Sequence, residues 1–429
     1  MEDEAAAAGY ILSAINRRGP TSSSCAGTRS GGGGWITTTS AMQIKPQGAK
    51  SIAQSGAVSA ALGGLIAVAA ALGVGRFVYT PILPVMIEAL GLSRSQAGLI
   101  ASANFLGYLI GAFLAAMPHL SGPRRLWLIG SLAASVATTA GMGLSQSLAA
   151  LLVLRFVGGA ASAFVLIFSS TIVLERLAQL GRNELSALHF AGVGTGIAMS
   201  AALVAGLLEL GQGWQSLWLA SGALAFVAAV AAAALLPTLP SPATQTAGTA
   251  STVADARLRR LIVAYGLFGF GYIITATFLV AIVRATPAIQ AQEPVIWIVF
   301  GIAAVPSVGF WTLLASRFGI QAAFAIACIV EAMGVLASVV WPSVLGVFLA
   351  AILVGGTFMG LTALGLIGAR ARAVGDPRRV LALMTGAFGL GQIVGPFFAG
   401  IASDRLGSFT APSIVAALAL ILAALLTAT

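Results

Sequence analysis

Gly73-Val74-Gly75-Arg76-Phe77-Val78-Tyr79-Thr80-Pro81-Ile82-Leu83-Pro84 sets one arginine and two prolines inside an otherwise apolar run. Between Lys50 and Glu88, Arg76 is the only charge. A helix needs ~20 apolar residues to cross a bilayer, and this run exceeds that. The same spacing recurs outward along the chain. No charge falls between Arg125 and Arg155 or between Glu209 and Asp255, and only Glu331 falls between Arg317 and Arg370. Of the 429 residues, 59% are hydrophobic and 8% charged, against roughly 25% charged in a soluble domain. That excludes a soluble enzyme, a coiled coil and a disordered chain. The pattern argues against a membrane barrel too, because its strands would read as short alternating segments.

Divided at charges and Pro/Gly breaks, the chain predicts twelve transmembrane helices: 57–87, 95–117, 125–145, 148–174, 185–208, 214–236, 259–283, 294–316, 320–340, 343–369, 379–402 and 409–427. With the N-terminus inside, twelve arginines fall in inner loops (Arg124, Arg125, Arg176 and Arg182 among them) and only Arg94, Arg284 and Arg405 in outer loops. The positive-inside bias therefore places both termini in the cytoplasm. The net charge of +10 is then a topology signal and asks for no nucleic-acid partner. Residues 1–50 are Gly/Ser/Thr-rich, include the run Gly31 to Gly34, and lack the apolar core of a secretory signal. Two readings of them stand: a disordered tail, or an overextended gene start with Met42 as the first residue.

The chain also repeats itself. Val157-Gly158-Gly159-Ala160 answers Val354-Gly355-Gly356-Thr357, and Gly192-Val193-Gly194 answers Gly389-Leu390-Gly391, both at an offset of 197. Gly73-Val74-Gly75-Arg76 answers Gly269-Phe270-Gly271-Tyr272 at 196. These matches predict two six-helix halves, 51–236 and 258–429, joined by an inner Pro/Ser/Thr-rich linker at 237–257. An all-α membrane protein of this layout places its substrate site near the midplane, between the halves.

Gly75-Arg76-Phe77-Val78-Tyr79-Thr80-Pro81-Ile82-Leu83-Pro84 resembles the G-R-F-x-Y-T-P-x-L-P signature of the YbfB-type bacterial branch of the major facilitator superfamily. Ser95-Gln96-Ala97-Gly98 and Ala276-Thr277-Phe278-Leu279 are similar to that branch as well, and the resemblance spans roughly residues 55–425. It implies the major facilitator fold, a cavity lined by helices one, four, seven and ten, a monomer, and residence in the bacterial inner membrane. The chain departs from the superfamily's G-x-x-x-D-R-x-G-R loop after helix two, where His119 stands at the acidic position, and Ser316-Arg317-Phe318-Gly319 lacks the Asp too. A full Gly400-x-x-x-Asp404-Arg405-x-Gly407 follows helix eleven on the outer side and reads as a turn.

The candidate site residues are polar groups stranded in apolar helices. An arginine at mid-membrane costs at least ~2.5 kcal/mol, so Arg76 should be paired, wetted or functional; the alternative is snorkelling to the outer headgroups. Pro81 and Pro84 should break the helix beyond it. Arg155-Phe156-Val157-Gly158-Gly159 resembles the superfamily's R-x-x-Q-G motif, which implies a part in substrate binding or proton coupling for Arg155, against outward snorkelling. His189, near the inner end of helix five, could carry a proton or make an interfacial hydrogen bond. Glu331, mid-helix nine, reads as a relay acid or a structural hydrogen bond. Tyr79, Tyr265 and Tyr272 are site or packing aromatics, with Tyr272 at the repeat position of Arg76. Gly192, Gly194, Gly389 and Gly391 read as helix-packing contacts.

No metal constellation, cofactor motif or ATP-binding loop appears, and no catalytic cluster marks an enzyme. The reading is a secondary transporter working by alternating access on a small-molecule substrate. Scarce acids beside Arg76 and Arg155 point to an organic anion, with proton coupling or exchange as the driving process. The alternatives are a proton-driven efflux pump for hydrophobic drugs, with Glu331 as its acid, and an integral-membrane enzyme.

Overall fold

The computed structural model describes residues 47–117, 123–237, 256–373 and 377–428. The N-terminal segment, His119 and most of the 237–257 linker therefore lie outside the described residues.

Every described element is helical, and eleven helices are each long and apolar enough to cross a membrane. A twelfth span is a pair bent by 43°. In chain order α1 comprises Gln47–Val68, a wide turn Ala69–Val74 and Tyr79–Leu90; α2 is Arg94–Ala115, α3 Arg124–Gly141 and α4 Leu148–Gln179. Next, α5 comprises Ser186–Phe190 and Gly192–Glu209, α6 is Trp214–Leu235, and α7 is Ala256–Arg284. The bent pair α8 comprises Glu293–Ala304 and Ser307–Phe318, followed by α9 Ile320–Val340, α10 Val344–Ala371, α11 Pro377–Leu406 and α12 Thr410–Ala428. All twelve expected spans coincide with these. The helices overrun them where charge begins: α4 continues past Glu175 to Gln179, and α11 past 402 to Leu406. Hydropathy stops at the first charge, whereas the backbone hydrogen bonds of a helix do not.

Two breaks interrupt the helices. In α8 the break falls at Pro306, which cannot donate to the carbonyl one turn back. In α1 it falls before the prolines and not beyond them. Gly75 N–H donates to Ala70 O at 2.9 Å and Phe77 N–H to Leu72 O at 3.1 Å, both one residue wider than an α-turn. A single wide turn of this kind offsets the side chains that follow it. Pro81 then has no N–H for Phe77 O, so Thr80 N–H takes that carbonyl at 3.2 Å and leaves Arg76 O without a helical partner.

The repeat is visible in contacts across the molecule. Thr80 Oγ1 donates to Ala276 O at 2.8 Å, and Arg284 donates to Glu88 at 2.6 Å, each pair 196 residues apart. Gly159 presses on Asn104 O and Gly355 on Phe300 O, where an added Cβ would lie 2.0 and 2.4 Å away, so Gly159 answers Gly355 and not, as in the sequence match, Gly356. In α5 and α11 the register differs from the sequence match. Gly196 abuts Ala69 and Gly73 of α1, while Gly391 abuts Gly266 and Phe270 of α7, so the equivalent glycine of Gly391 is Gly196 and not Gly194. Gly192 sits on Leu65 O of α1, Gly194 against Gly301 and Val305 of α8, and Gly389 against Leu109 of α2. Gly192, Gly194 and Gly391 thus lie where helix backbones approach too closely for a side chain, whereas Gly389 meets the end of the Leu109 side chain.

Candidate functional site

Apolar helices leave a cavity between α1, α2, α4 and α5 on one side and α7, α8, α10 and α11 on the other. It encloses about 850 Å³, counting the part continuous with solvent. Arg76, Tyr272 and Gln392 form one end. From there the lining runs along α10 through Thr362 to Ile367, and along α4 to Ser170. Both courses head toward the face that carries the inner-loop arginines, called here the basic face.

Arg76 is 5% exposed and does not snorkel. Its Nη2 donates to Gln392 Oε1 at 3.0 Å. The guanidinium lies 4.3 Å from the Tyr108 ring centroid, 4.7 Å from Phe105 and 5.5 Å from Phe77. Such ring faces attract a cation electrostatically and partly replace its lost water. The Nε has no hydrogen-bond partner among the described atoms, and Arg76 forms no ion pair there. Gln392 Nε2 in turn donates to the Tyr272 hydroxyl oxygen. Tyr272 therefore keeps its own proton to give. The two repeat-related positions, Arg76 and Tyr272, are joined through a glutamine that the sequence reading passed over. The available signal was that Gln392 is the only amide side chain between Arg379 and Asp404. Tyr272 stacks nearly parallel with Phe358, at 5.6 Å and 11°, and with Phe388, at 5.9 Å and 5°.

The structure does not bring Arg155 or Tyr79 into the cavity. Arg155 is 3% exposed and donates to Gly75 O at 3.1 Å and Arg76 O at 3.0 Å, the carbonyls at the α1 break. Its guanidinium lies 4.8 Å from the Tyr79 ring, whose hydroxyl donates to Ala97 O at 2.8 Å. Asn104, also missed, donates to Arg155 O at 2.8 Å. Tyr265 stacks on Phe388 behind the cavity wall, with its hydroxyl donating to Thr362 O at 3.1 Å. His189 is fully buried. Its Nε2 lies 3.0 Å from Ser170 Oγ, and Ser170 itself lines the cavity. Glu331 is fully buried between α9 and α10, accepts from Thr357 Oγ1 at 3.1 Å, and lies outside the cavity lining.

On the face opposite the basic one the halves are fastened together. Arg284 at the end of α7 bridges Glu88 of α1 at 2.6 Å and Glu293 of α8 at 3.1 Å. Asp404, expected in a turn, lies in the last turn of α11 and caps the start of α2. It accepts from the backbone N–H groups of Arg94 and Ser95 at 3.0 and 2.8 Å, and from the Ser95 hydroxyl. Arg94 answers by donating to Ser403 O and Oγ, each at 3.0 Å. Each charge thus meets the helix end of opposite polarity. Asp404→Ala should loosen this clasp. The pair is exposed, so a shift on the order of threefold is expected toward conformations in which α2 and α11 separate at this face. Spin labels on the two helix ends would read the distance distribution; an unchanged distribution would show that the clasp holds nothing.

Comparison with known proteins places these features. A family model described as "Uncharacterised MFS-type transporter YbfB" matches residues 68–428. An uncharacterised MFS-type transporter of Bacillus subtilis strain 168, YceJ, is 31% identical over 94 residues, 22% of this chain. The match spans about a quarter of that relative's length, 24%. Among solved structures the nucleoside transporter NupG aligns with TM-score 0.66 at 16% identity, over 87% of this chain and 98% of its own. A bacterial homologue of the human lysosomal transporter Spinster, inward-facing and unoccupied, aligns with TM-score 0.59 at 13% identity, over 88% and 95%. At these identities the likeness is one of fold.

Proposed function

Because the chain belongs to the YbfB-type family of MFS transporters, and is thus a multi-pass membrane transporter and not an enzyme, we propose that it carries a small organic anion by alternating access, driven by protons or by exchange. The observation that carries this reading is the polar end of the cavity. Arg76 offers a guanidinium without an ion pair and Tyr272 an uncommitted hydroxyl proton, while no Asp or Glu is among the lining residues. Two donors and no acid select an acceptor ligand, and a charge-assisted bond rewards a negative one. The binding set is accordingly Arg76 and Tyr272, oriented by Gln392.

In this reading the basic face is cytoplasmic, the bilayer is the bacterial inner membrane and the monomer is the working unit. The ion pairs and the Asp404 clasp then close the outer side, and the cavity faces inward. Arg155 and Tyr79 act behind the site. By holding the carbonyls of Gly75 and Arg76, Arg155 ties the ligand-bearing break in α1 to α4, so movement at Arg76 is felt across the first half. His189 reaches the cavity only through Ser170, which makes it the group placed to exchange a proton with the site. Glu331, shielded behind Thr357, is not placed to meet a cationic drug, so the arrangement favours anion transport over drug efflux.

The test is counterflow in proteoliposomes with benzoate, lactate and succinate against choline, tetraphenylphosphonium and uridine. Anion exchange without cation or uridine exchange is expected. An imposed pH gradient should drive uphill anion movement if protons couple, and leave exchange unaffected if they do not. Exchange of the cations alone would overturn the reading.

A further inference from the structure

We infer that the ligand of this cavity is an aryl monocarboxylate, a flat aromatic ring carrying a single carboxylate. The inference rests on the organic-anion reading above and narrows it. Charge sets the count: Arg76 is the only cation among the lining residues, and no acid accompanies it. One carboxylate satisfies that guanidinium. A second would enter an apolar enclosure with no cation to meet it, and an unpaired buried charge is strongly disfavoured.

The wall next to the donors sets the shape. Phe358 and Phe388 both lie nearly parallel to Tyr272, and all three line the cavity within reach of the Arg76 end. Tyr108 and Phe77, on the opposing half, add two more rings beside the guanidinium. These rings already stack on one another and on Phe268 behind them, so a further aromatic ring in the cavity extends the same cluster by face or edge, a geometry that an aliphatic chain lacks. A carboxylate at Arg76 and the Tyr272 hydroxyl would bring an attached ring alongside this wall.

Binding to the purified full-length transporter would be measured by thermal shift and calorimetry, using phenylacetate, benzoate, cyclohexylacetate, hexanoate, terephthalate and phenylacetamide. Phenylacetate and benzoate should bind tightest. Cyclohexylacetate, matched in size but not flat, should bind about tenfold more weakly, as one stacking contact implies. Terephthalate and the neutral amide should be at least about tenfold weaker again. In Phe388→Leu, which keeps an apolar side chain, the gap between phenylacetate and cyclohexylacetate should shrink to about twofold. Equal or better binding of hexanoate, cyclohexylacetate or terephthalate would overturn the aryl monocarboxylate while leaving an organic anion as the substrate. Absence of binding by all the carboxylates would remove both readings.

Discussion

Replacing Arg76 with alanine is expected to cut transport and ligand affinity by about 10- to 100-fold, the worth of one charge-assisted hydrogen bond of roughly 1.5–3 kcal/mol. The protein itself should not suffer. Arg76 is buried against three rings, hydrogen-bonded to Gln392 and Tyr108, with an unpartnered Nε. These partners are all neutral, and holding a guanidinium in an apolar span costs about 2.5 kcal/mol or more on insertion. Removing it should leave the melting temperature in detergent unchanged or raised. Arg76→Lys should recover only part of the activity, because an ammonium keeps the charge but loses the planar fork and the stacking on Tyr108. The telling measurement is the pairing of an unaltered or raised melting temperature with lost counterflow. Full counterflow by the alanine variant would take Arg76 out of the site.

The contrast between fold and site shows what a single sequence carries. Twelve spans were legible because charges are rare enough to act as punctuation, so Arg125, Glu209 and Arg317 mark boundaries directly. The repeat was legible because glycines at helix crossings leave no freedom: a Cβ at Gly391 would stand 2.2 Å from Gly266 O. Its register was one residue out in α4 and α10 and two residues out in α5 and α11, because neighbouring glycines such as Gly192, Gly194 and Gly196 are equivalent as letters and distinct only by which helix each one touches. Arg76 was legible as a lone charge. Its partner was not, since Gln392 lies 316 residues away and is neutral. A neutral amide raises no alarm in a hydropathy reading, although it fixes the direction of both Arg76 and Tyr272. Asp404 sits inside a motif that the chain carries intact, but the motif did not disclose that its acid would reach the first turn of α2.

Arg155 looks like Arg76 in sequence and should behave in the opposite way. Both are arginines in apolar helices, and both are nearly fully buried. The difference is what they hold. Arg155 donates to Gly75 O and Arg76 O, at the break where a wide turn and Pro81 disturb the carbonyl pairing of α1. Arg155→Met fills similar space and removes a buried charge, a change that is often neutral when the partner is removed as well. Here the partners are backbone oxygens and cannot be removed. Leaving them buried and unpaired costs about 1–3 kcal/mol each, and the cation–π contact with Tyr79 is lost besides. The penalty outweighs the relief of desolvation, so the melting temperature in detergent should fall by about 5 °C or more, and expression should fall with it. Arg155→Lys should recover part of this, since its single ammonium is a compact donor without the fork that spans two carbonyls. Ligand affinity per folded molecule should change far less than in Arg76→Ala, because Arg155 faces away from the cavity. A methionine variant that melts like the wild type but fails to move substrate would reverse the assignment, making Arg155 part of the coupling machinery instead of the strut behind α1.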